Sequence, residues 1–197
     1  MPLTFLSMGW GVQTWTLAAM MALDEHPRPD HIVFADTHHE GQATYAFAQK
    51  WTPWLGERGL DVVTMEAVNT EVGRGDWGRG GIQIPAYTLN RETGKHGQAQ
   101  RQCTHDWKIT PIRRFIRTQL KIQGIQRRAG VVETWQGISW DEALRMRTSD
   151  VQYIKNVYPL VDLRMTRRDC YLWLEKHGLP AAPKSACTFC PFKSTTA

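Results

Sequence analysis

The stretch Ser7-Met8-Gly9-Trp10-Gly11-Val12-Gln13-Thr14 decides the fold. Before it, Leu3 to Leu6 is an apolar run of strand length. After it, Trp15 to Leu23 is rich in alanine and methionine and runs on to His26-Pro27, where proline ends a helix. The reading is strand, glycine-bearing turn, helix. A helix start presents unpaired N–H groups and the positive end of the peptide dipoles, and together these hold anions. Gly9 and Gly11 allow the backbone to approach a phosphate and to adopt positive φ. Ser7 and Thr14 add hydroxyls, and Gln13 a donor in place of a charge. The stretch has no Gly-Lys-Ser/Thr ending and is therefore not a Walker-type loop. An ordinary tight turn is the competing reading, because two glycines alone are a weak signal.

Working outward, Asp30 to Ala35 reads as a second buried strand ending in a polar cluster, Asp36-Thr37-His38-His39-Glu40-Gly41. Ala43 to Leu55 is helical in pattern, with Tyr45, Phe47, Trp51 and Trp54 as its bulky residues. Gly59 breaks it, and Leu60 to Met65 is a third strand. This alternation predicts right-handed parallel βαβ units: an α/β fold with an open, mostly parallel twisted sheet and helices on both faces. Ligands of such sheets bind outside the carboxyl ends of the strands. That puts the Ser7–Thr14 turn and the Asp36–Glu40 cluster on one rim.

The remainder reads as one domain with two irregular stretches. Residues 72–97 carry seven glycines and no sustained period, the pattern of a long loop. Thr110-Pro111 supplies an N-cap and a first-turn proline for a helix whose core face is Ile109, Ile112, Ile116 and Leu120. Arg113, Arg114, Arg117 and Lys121, followed by Arg127 and Arg128, lie largely off that face. They read as a solvated surface or as a nucleic-acid or phosphate patch. Val131 to Ile138 is a fourth strand, after which Ser139 caps a helical turn and Arg145 and Arg147 sit near the strand ends. Val151 to Val161 reads as a loose crossing, Thr166 to His177 as a helix stopped by Gly178, and Pro180 to Ser185 as extended.

The chain has 197 residues, 42% hydrophobic and 22% charged, as a soluble globular domain has. No apolar run reaches the roughly 18 residues of a membrane span, and the first residues lack a basic start, so a cytoplasmic protein with no membrane partner is expected. The net charge of +5 favours anionic partners, nucleotide or nucleic acid. Nine tryptophans are many for this length, and most are expected in the core or in pocket walls.

The four cysteines are Cys103, Cys170, Cys187 and Cys190. The Cys187-x-x-Cys190 spacing lets one turn present two thiolates to one centre, and the following Pro191 resembles cysteine runs that hold iron–sulfur clusters. Zinc and a redox pair use the same spacing. Four soft ligands suffice for a [4Fe-4S] centre or tetrahedral zinc. The competing reading makes Cys103 and Cys170 plain buried thiols.

Taken together, these motifs resemble the phosphoadenosine phosphosulfate (PAPS) reductase family of the PP-loop ATP pyrophosphatases (adenine nucleotide alpha hydrolases). The matching features are the Ser-x-Gly turn with Gln13, Asp36-Thr37 followed by Thr44-Tyr45, and Arg101-x-Cys103 followed by Lys108-Ile109-x-Pro111-Ile112. Gly137 followed by Asp141-Glu142 and arginines completes the set. The resemblance implies ATP or a related adenine nucleotide on the sheet rim. Its phosphates would lie at Ser7, Gly9, Gly11, Gln13 and Thr14, with Asp36 and Thr37 contacting the nucleotide or a magnesium ion. Lys108, Arg145 and Arg147 would neutralise phosphate oxygens, and Cys103, Cys170, Cys187 and Cys190 would hold a [4Fe-4S] cluster or zinc. Asp36, Lys108 and Arg145 are the catalytic candidates.

Two departures point away from sulfonucleotide reduction. The reductases carry a nucleophilic cysteine in a C-terminal tail, whereas this sequence runs seven residues past Cys190. Cluster-bearing reductases use an adjacent cysteine pair where Cys103-Thr104 stands here. The arrangement is closer to cluster-bearing relatives linked to DNA sulfur modification and to phage and bacterial members. Nucleotidyl transfer in sulfur chemistry is therefore the leading expectation. A sulfonucleotide reductase and a non-catalytic nucleotide- or nucleic-acid-binding module are the alternatives. A nucleic-acid substrate, a sulfur-donor protein and a second copy in a homodimer are the further candidate partners.

Overall fold

The computed structural model describes residues 1–68, 86–98 and 102–191. Arg101 of the matching motif, most of the glycine-rich stretch and the residues after Pro191 lie outside them.

Five strands form one parallel sheet: β1 (Leu3–Met8), β2 (His31–Asp36), β3 (Val62–Glu66), β6 (Val132–Gln136) and β7 (Ile154–Val157). Their order is β3-β2-β1-β6-β7. The chain winds outward in one direction from β1 to β3, then returns to pair β6 on the other side of β1, with Leu3 opposite Val132 and Ser7 opposite Gln136. The carboxyl ends of β1 and β6 thus flank the point where the winding reverses, the place where open α/β sheets leave a crevice for ligands.

Alternate residues of β1 serve opposite layers, as strand geometry requires. Leu6 and Met8 join the larger core beneath α1 (Val12–Ala22), α2 (Gln42–Gly56) and α5 (Arg167–Lys176). Leu3 and Phe5 join Val33, Ile116, Leu120, Val132 and Ile154 beneath α3 (Thr110–Ile122). Both faces are therefore covered by helices, as the alternation predicts. Trp10, Trp15, Trp107 and Trp135 are buried, whereas Trp140 is half exposed. Among the described residues no helix is long and apolar enough to cross a membrane.

Several local expectations change. Val151 to Val161 is not a loose crossing. It contains β7, which pairs with β6 at the sheet edge, and leads into the short α4 (Pro159–Asp162). Within the glycine-rich stretch, β4 (Tyr87–Leu89) and β5 (His96–Gln98) form an antiparallel hairpin. Thr110 is not a cap: it is already helical, because a π-helical turn, His105–Ile109, runs straight into α3. By contrast, Thr166 caps α5 as expected, in a reciprocal capping box with Asp169, and Gly178 follows the helix at φ 65°.

Candidate functional site

The turn after β1 takes its shape from a residue other than its glycines. Trp10 holds the left-handed conformation, φ 53°, and Gly11 is extended at φ −89°. A bulky residue at positive φ costs about 1–3 kcal/mol and persists only where its surroundings fix it. Here the indole is buried and packs against Trp15 and Phe47 at centroid distances of 6.4 and 6.3 Å. The kink is thereby locked, and α1 begins at Val12 with its first amides open at the rim. Thr14 closes the turn on itself: its hydroxyl accepts from Gly9 N at 3.3 Å and donates to Gly11 O at 3.2 Å.

Gly137, just past the end of β6, presses on this turn. A Cβ there would stand 2.4 Å from Thr14 Cγ2, 3.0 Å from Thr14 N and 3.2 Å from Thr14 Cα. Only glycine allows the two strand ends to approach so closely. The backbone then passes through Ser139 into a 3-10 turn, Trp140–Arg145, which Asp141 fastens to α5 by accepting from Arg167 N at 2.9 Å.

A cavity of about 290 Å³ opens over the turn, walled by Gly9, Gly11, Thr14, Gly137, Arg145 and Arg167, with Lys184 and Ser185 beside them. Gln13 Nε2 and Arg145 Nη1 meet there on one oxygen, Oε2 of Glu142, at 2.9 and 2.8 Å. The donors that the turn lacks as a lysine are thus supplied by a glutamine and an arginine 132 positions apart, already converged on an anion.

Arg145 also lines a second cavity of about 390 Å³, on the α3 side of the sheet. Ser7, Lys108 and Arg147 line that second cavity and not the first. The Arg147 guanidinium is tied to the carbonyls of Leu144 and Met146 at 3.0 and 2.8 Å.

At the end of β2, Asp36 is engaged in building the rim. Its Oδ1 accepts from the Tyr45 hydroxyl at 2.6 Å and from His38 N at 2.8 Å. Burial and this bond raise the Tyr45 phenol above its ordinary value, so it stays a donor. Thr37 is fully buried, and its hydroxyl lies 3.7 Å from Cys187 Sγ. Asp36 and Thr37 line neither cavity.

Glu40, which the sequence presents only as part of a polar cluster, proves central. Its side chain is fully buried. Oε1 accepts from Lys108 Nζ at 2.8 Å and Oε2 from the Ser185 hydroxyl at 3.2 Å, while its backbone pairs with Cys187. The π-turn aims Lys108 inward to this carboxylate, and single π-turns of this kind recur at functional sites. Burial works against the charged amine, but Glu40 outweighs it and holds Lys108 above the usual lysine value.

The cysteines divide. Cys103 and Cys187 lie within electrostatic reach of Lys108 and of each other, and Cys190 follows Cys187 in one tight turn, Cys190 N donating to Cys187 O at 3.1 Å. Burial raises the Cys187 thiol, opposed by Thr37 and Lys108. Cys170 is elsewhere: it sits on α5 with no exposed surface, packed in the larger core beside Thr16, and burial pushes its thiol up to about 11. The four thiols are not gathered, and among the described residues no three His, Cys, Asp or Glu side chains form a metal-holding group. A four-cysteine centre therefore does not fit these residues. In a thiol titration of the native protein, Cys170 is expected to stay unreactive until denaturant is added, whereas Cys103, Cys187 and Cys190 react without it. Early modification of Cys170 would contradict its placement.

No protein-family model and no curated protein matches the sequence. Solved structures do match by shape. A crystal structure of phosphoadenylyl-sulfate (PAPS) reductase from Candida auris, in complex with phosphate, superposes with a TM-score of 0.57 over 92% of this chain and 76% of that one. This chain has the PAPS reductase fold. With 14% identity between the two, the shared property is architecture. The PAPS reductase-like sheet is the frame that brings the glycine turn, Gly137 and Arg145 to one crevice.

Proposed function

We propose that this protein binds ATP or a related adenine nucleotide, with the phosphates in the cavity over Gly9–Thr14, and transfers the nucleotidyl group in sulfur chemistry. The observation that carries the reading is the convergence of Gln13 and Arg145 on the Glu142 carboxylate above an open helix start. Groups so placed are prepared for an anion, and a phosphate would compete with the carboxylate for them.

In this reading an acceptor oxygen attacks the α-phosphorus, the bond to the bridging oxygen of the β-phosphate breaks, and pyrophosphate leaves. The acceptor's proton passes to water. The amides of the turn and Arg145 stabilise the charge growing on pyrophosphate, which is the largest contribution such a site makes. Hydrosulfide released by a donor protein then attacks the activated acceptor carbon, and the carbon–oxygen bond to AMP breaks as the carbon–sulfur bond forms. Asp36 and Thr37, which line neither cavity, shape the β2 end of the rim through Tyr45 and His38 and do not border the nucleotide. Lys108 opposes the upward shift that burial imposes on the Cys187 thiol. A [4Fe-4S] cluster or zinc on Cys103, Cys187 and Cys190 would require a fourth ligand other than Cys170, and no step here runs through it.

A second reading, sulfonucleotide reduction, is favoured by the fold neighbour. Pyrophosphate release from ATP and sulfite release from a sulfonucleotide separate the two. The first is expected, and sulfite release without pyrophosphate release would replace it with the second. Silence in both assays would leave a binding module.

A further inference from the structure

We infer that the cavity on the α3 side is a pocket for a single nucleobase of a polynucleotide acceptor, with the strand's phosphates lying along the basic face of α3. The inference rests on the nucleotide reading above and names its acceptor.

The cavity has two unlike walls. One, on the α3 side, is apolar and branched: Ile109, Ile112 and Ile116. The other, on β6, β7 and just beyond, carries the polar row Thr134, Gln136, Asn156 and Tyr158 beside Ile138 and Ile154, and Lys108, Arg145 and Arg147 also line the cavity. Thr134 donates to Asn156 Oδ1 at 2.7 Å and Asn156 Nδ2 donates to Arg147 O at 2.9 Å, so the row is held rigidly. A sugar needs polar partners on all sides and an acyl chain needs none. A flat heteroaromatic ring, apolar on its faces and polar at its edge, matches a pocket built this way. At about 390 Å³ the space lies near the lower end of ligand cavities, room for one base and not for a stacked run.

Two further observations connect the pocket to a strand and to chemistry. Ile112 and Ile116 belong to α3, and the same helix exposes Arg114, Arg117 and Lys121 to solvent. Such cations neutralise successive phosphates of a backbone whose base has turned inward. Arg145 lines both this pocket and the cavity over the glycine turn, so a base held here lies one arginine away from the nucleotide's phosphates. Arg113, paired with Asp150, lines the pocket as well.

The test uses a short single-stranded oligonucleotide carrying one 2-aminopurine, whose fluorescence rises when the base leaves its stack. Binding to the full chain is expected to brighten it. Ile112→Trp, which fills the pocket, should remove the brightening and weaken binding about tenfold. Ile112→Phe repeats the test with a smaller side chain should the first variant fold poorly. Arg114→Ala with Arg117→Ala should keep the brightening but flatten the salt dependence by about 0.7 in log–log slope per lost phosphate contact. ATP binding is measured in every variant. Equal oligonucleotide binding by wild type and both Ile112 variants overturns the pocket. Equal binding of free 2-aminopurine riboside, indifferent to Arg114 and Arg117, overturns the polynucleotide. Retained ATP binding with no oligonucleotide binding overturns the inference alone, and loss of both in the wild type sinks the nucleotide reading with it.

Discussion

The Gly137→Ala variant is expected to lose nucleotide-dependent turnover by about 100-fold, the scale of a reacting group displaced by about an ångström. The reason is local. The added methyl would meet the backbone nitrogen and Cα of Thr14 at 3.0 and 3.2 Å, and those atoms cannot rotate away as a side chain can. Either the turn or the end of β6 must shift. Thr14 carries the bonds that close the turn, and Glu142 and Arg145 follow Gly137 on the same backbone run, so both halves of the anion site move apart. The cost in stability should be smaller, about 1–3 kcal/mol, as for other overpacked contacts. Pyrophosphate release from ATP by folded Gly137→Ala protein, with circular dichroism as the control, checks it. Wild-type turnover would mean that the contact with Thr14 does not set the site.

The largest effect on stability is expected for Lys108→Met. It leaves the Glu40 carboxylate fully buried with only the Ser185 hydroxyl for company. Removing one partner of a buried pair costs about 3–5 kcal/mol, because the remaining charge has lost its water and its counter-charge. Lys108 itself keeps 40% of its side chain in solvent, which screens the pair, so the lower end, about 3 kcal/mol, applies. For a chain of this size that is about 6–12 °C in melting temperature. Adding Glu40→Gln to Lys108→Met should recover much of the loss, since the orphaned charge is then gone. A double variant no more stable than the single one would show that Lys108 contributes packing and not charge.

The layers of this fold are legible in the sequence because their cause is local. Apolar strand-length runs at Leu3, Ile32 and Val132 and the alanine-rich helix after the turn announce themselves by composition. β7 is hidden because Lys155 and Asn156 interrupt its apolar run, which an edge strand tolerates and a buried one does not. At the site, the glycine turn and Arg145 are visible as types in a spacing. Glu142 as the anion between Gln13 and Arg145 is not, since their meeting depends on β6 returning beside β1. The same holds for Glu40 and Lys108, 68 residues apart. Cys170 misleads for the opposite reason: its spacing permits a ligand, but helical periodicity puts it on the buried face of α5 with Leu174. The positive φ at Trp10, where a glycine on either side would be the easier choice, reflects packing of the indole that no local rule contains.

The most direct measurement is a crystal structure of the protein with a non-hydrolysable ATP analogue. The terminal phosphates are expected against the amides of the turn between Gly11 and Thr14, with Arg145 and Gln13 released from Glu142 onto phosphate oxygens. Phosphates bound elsewhere, with Gln13 and Arg145 still closed on Glu142, would contradict it.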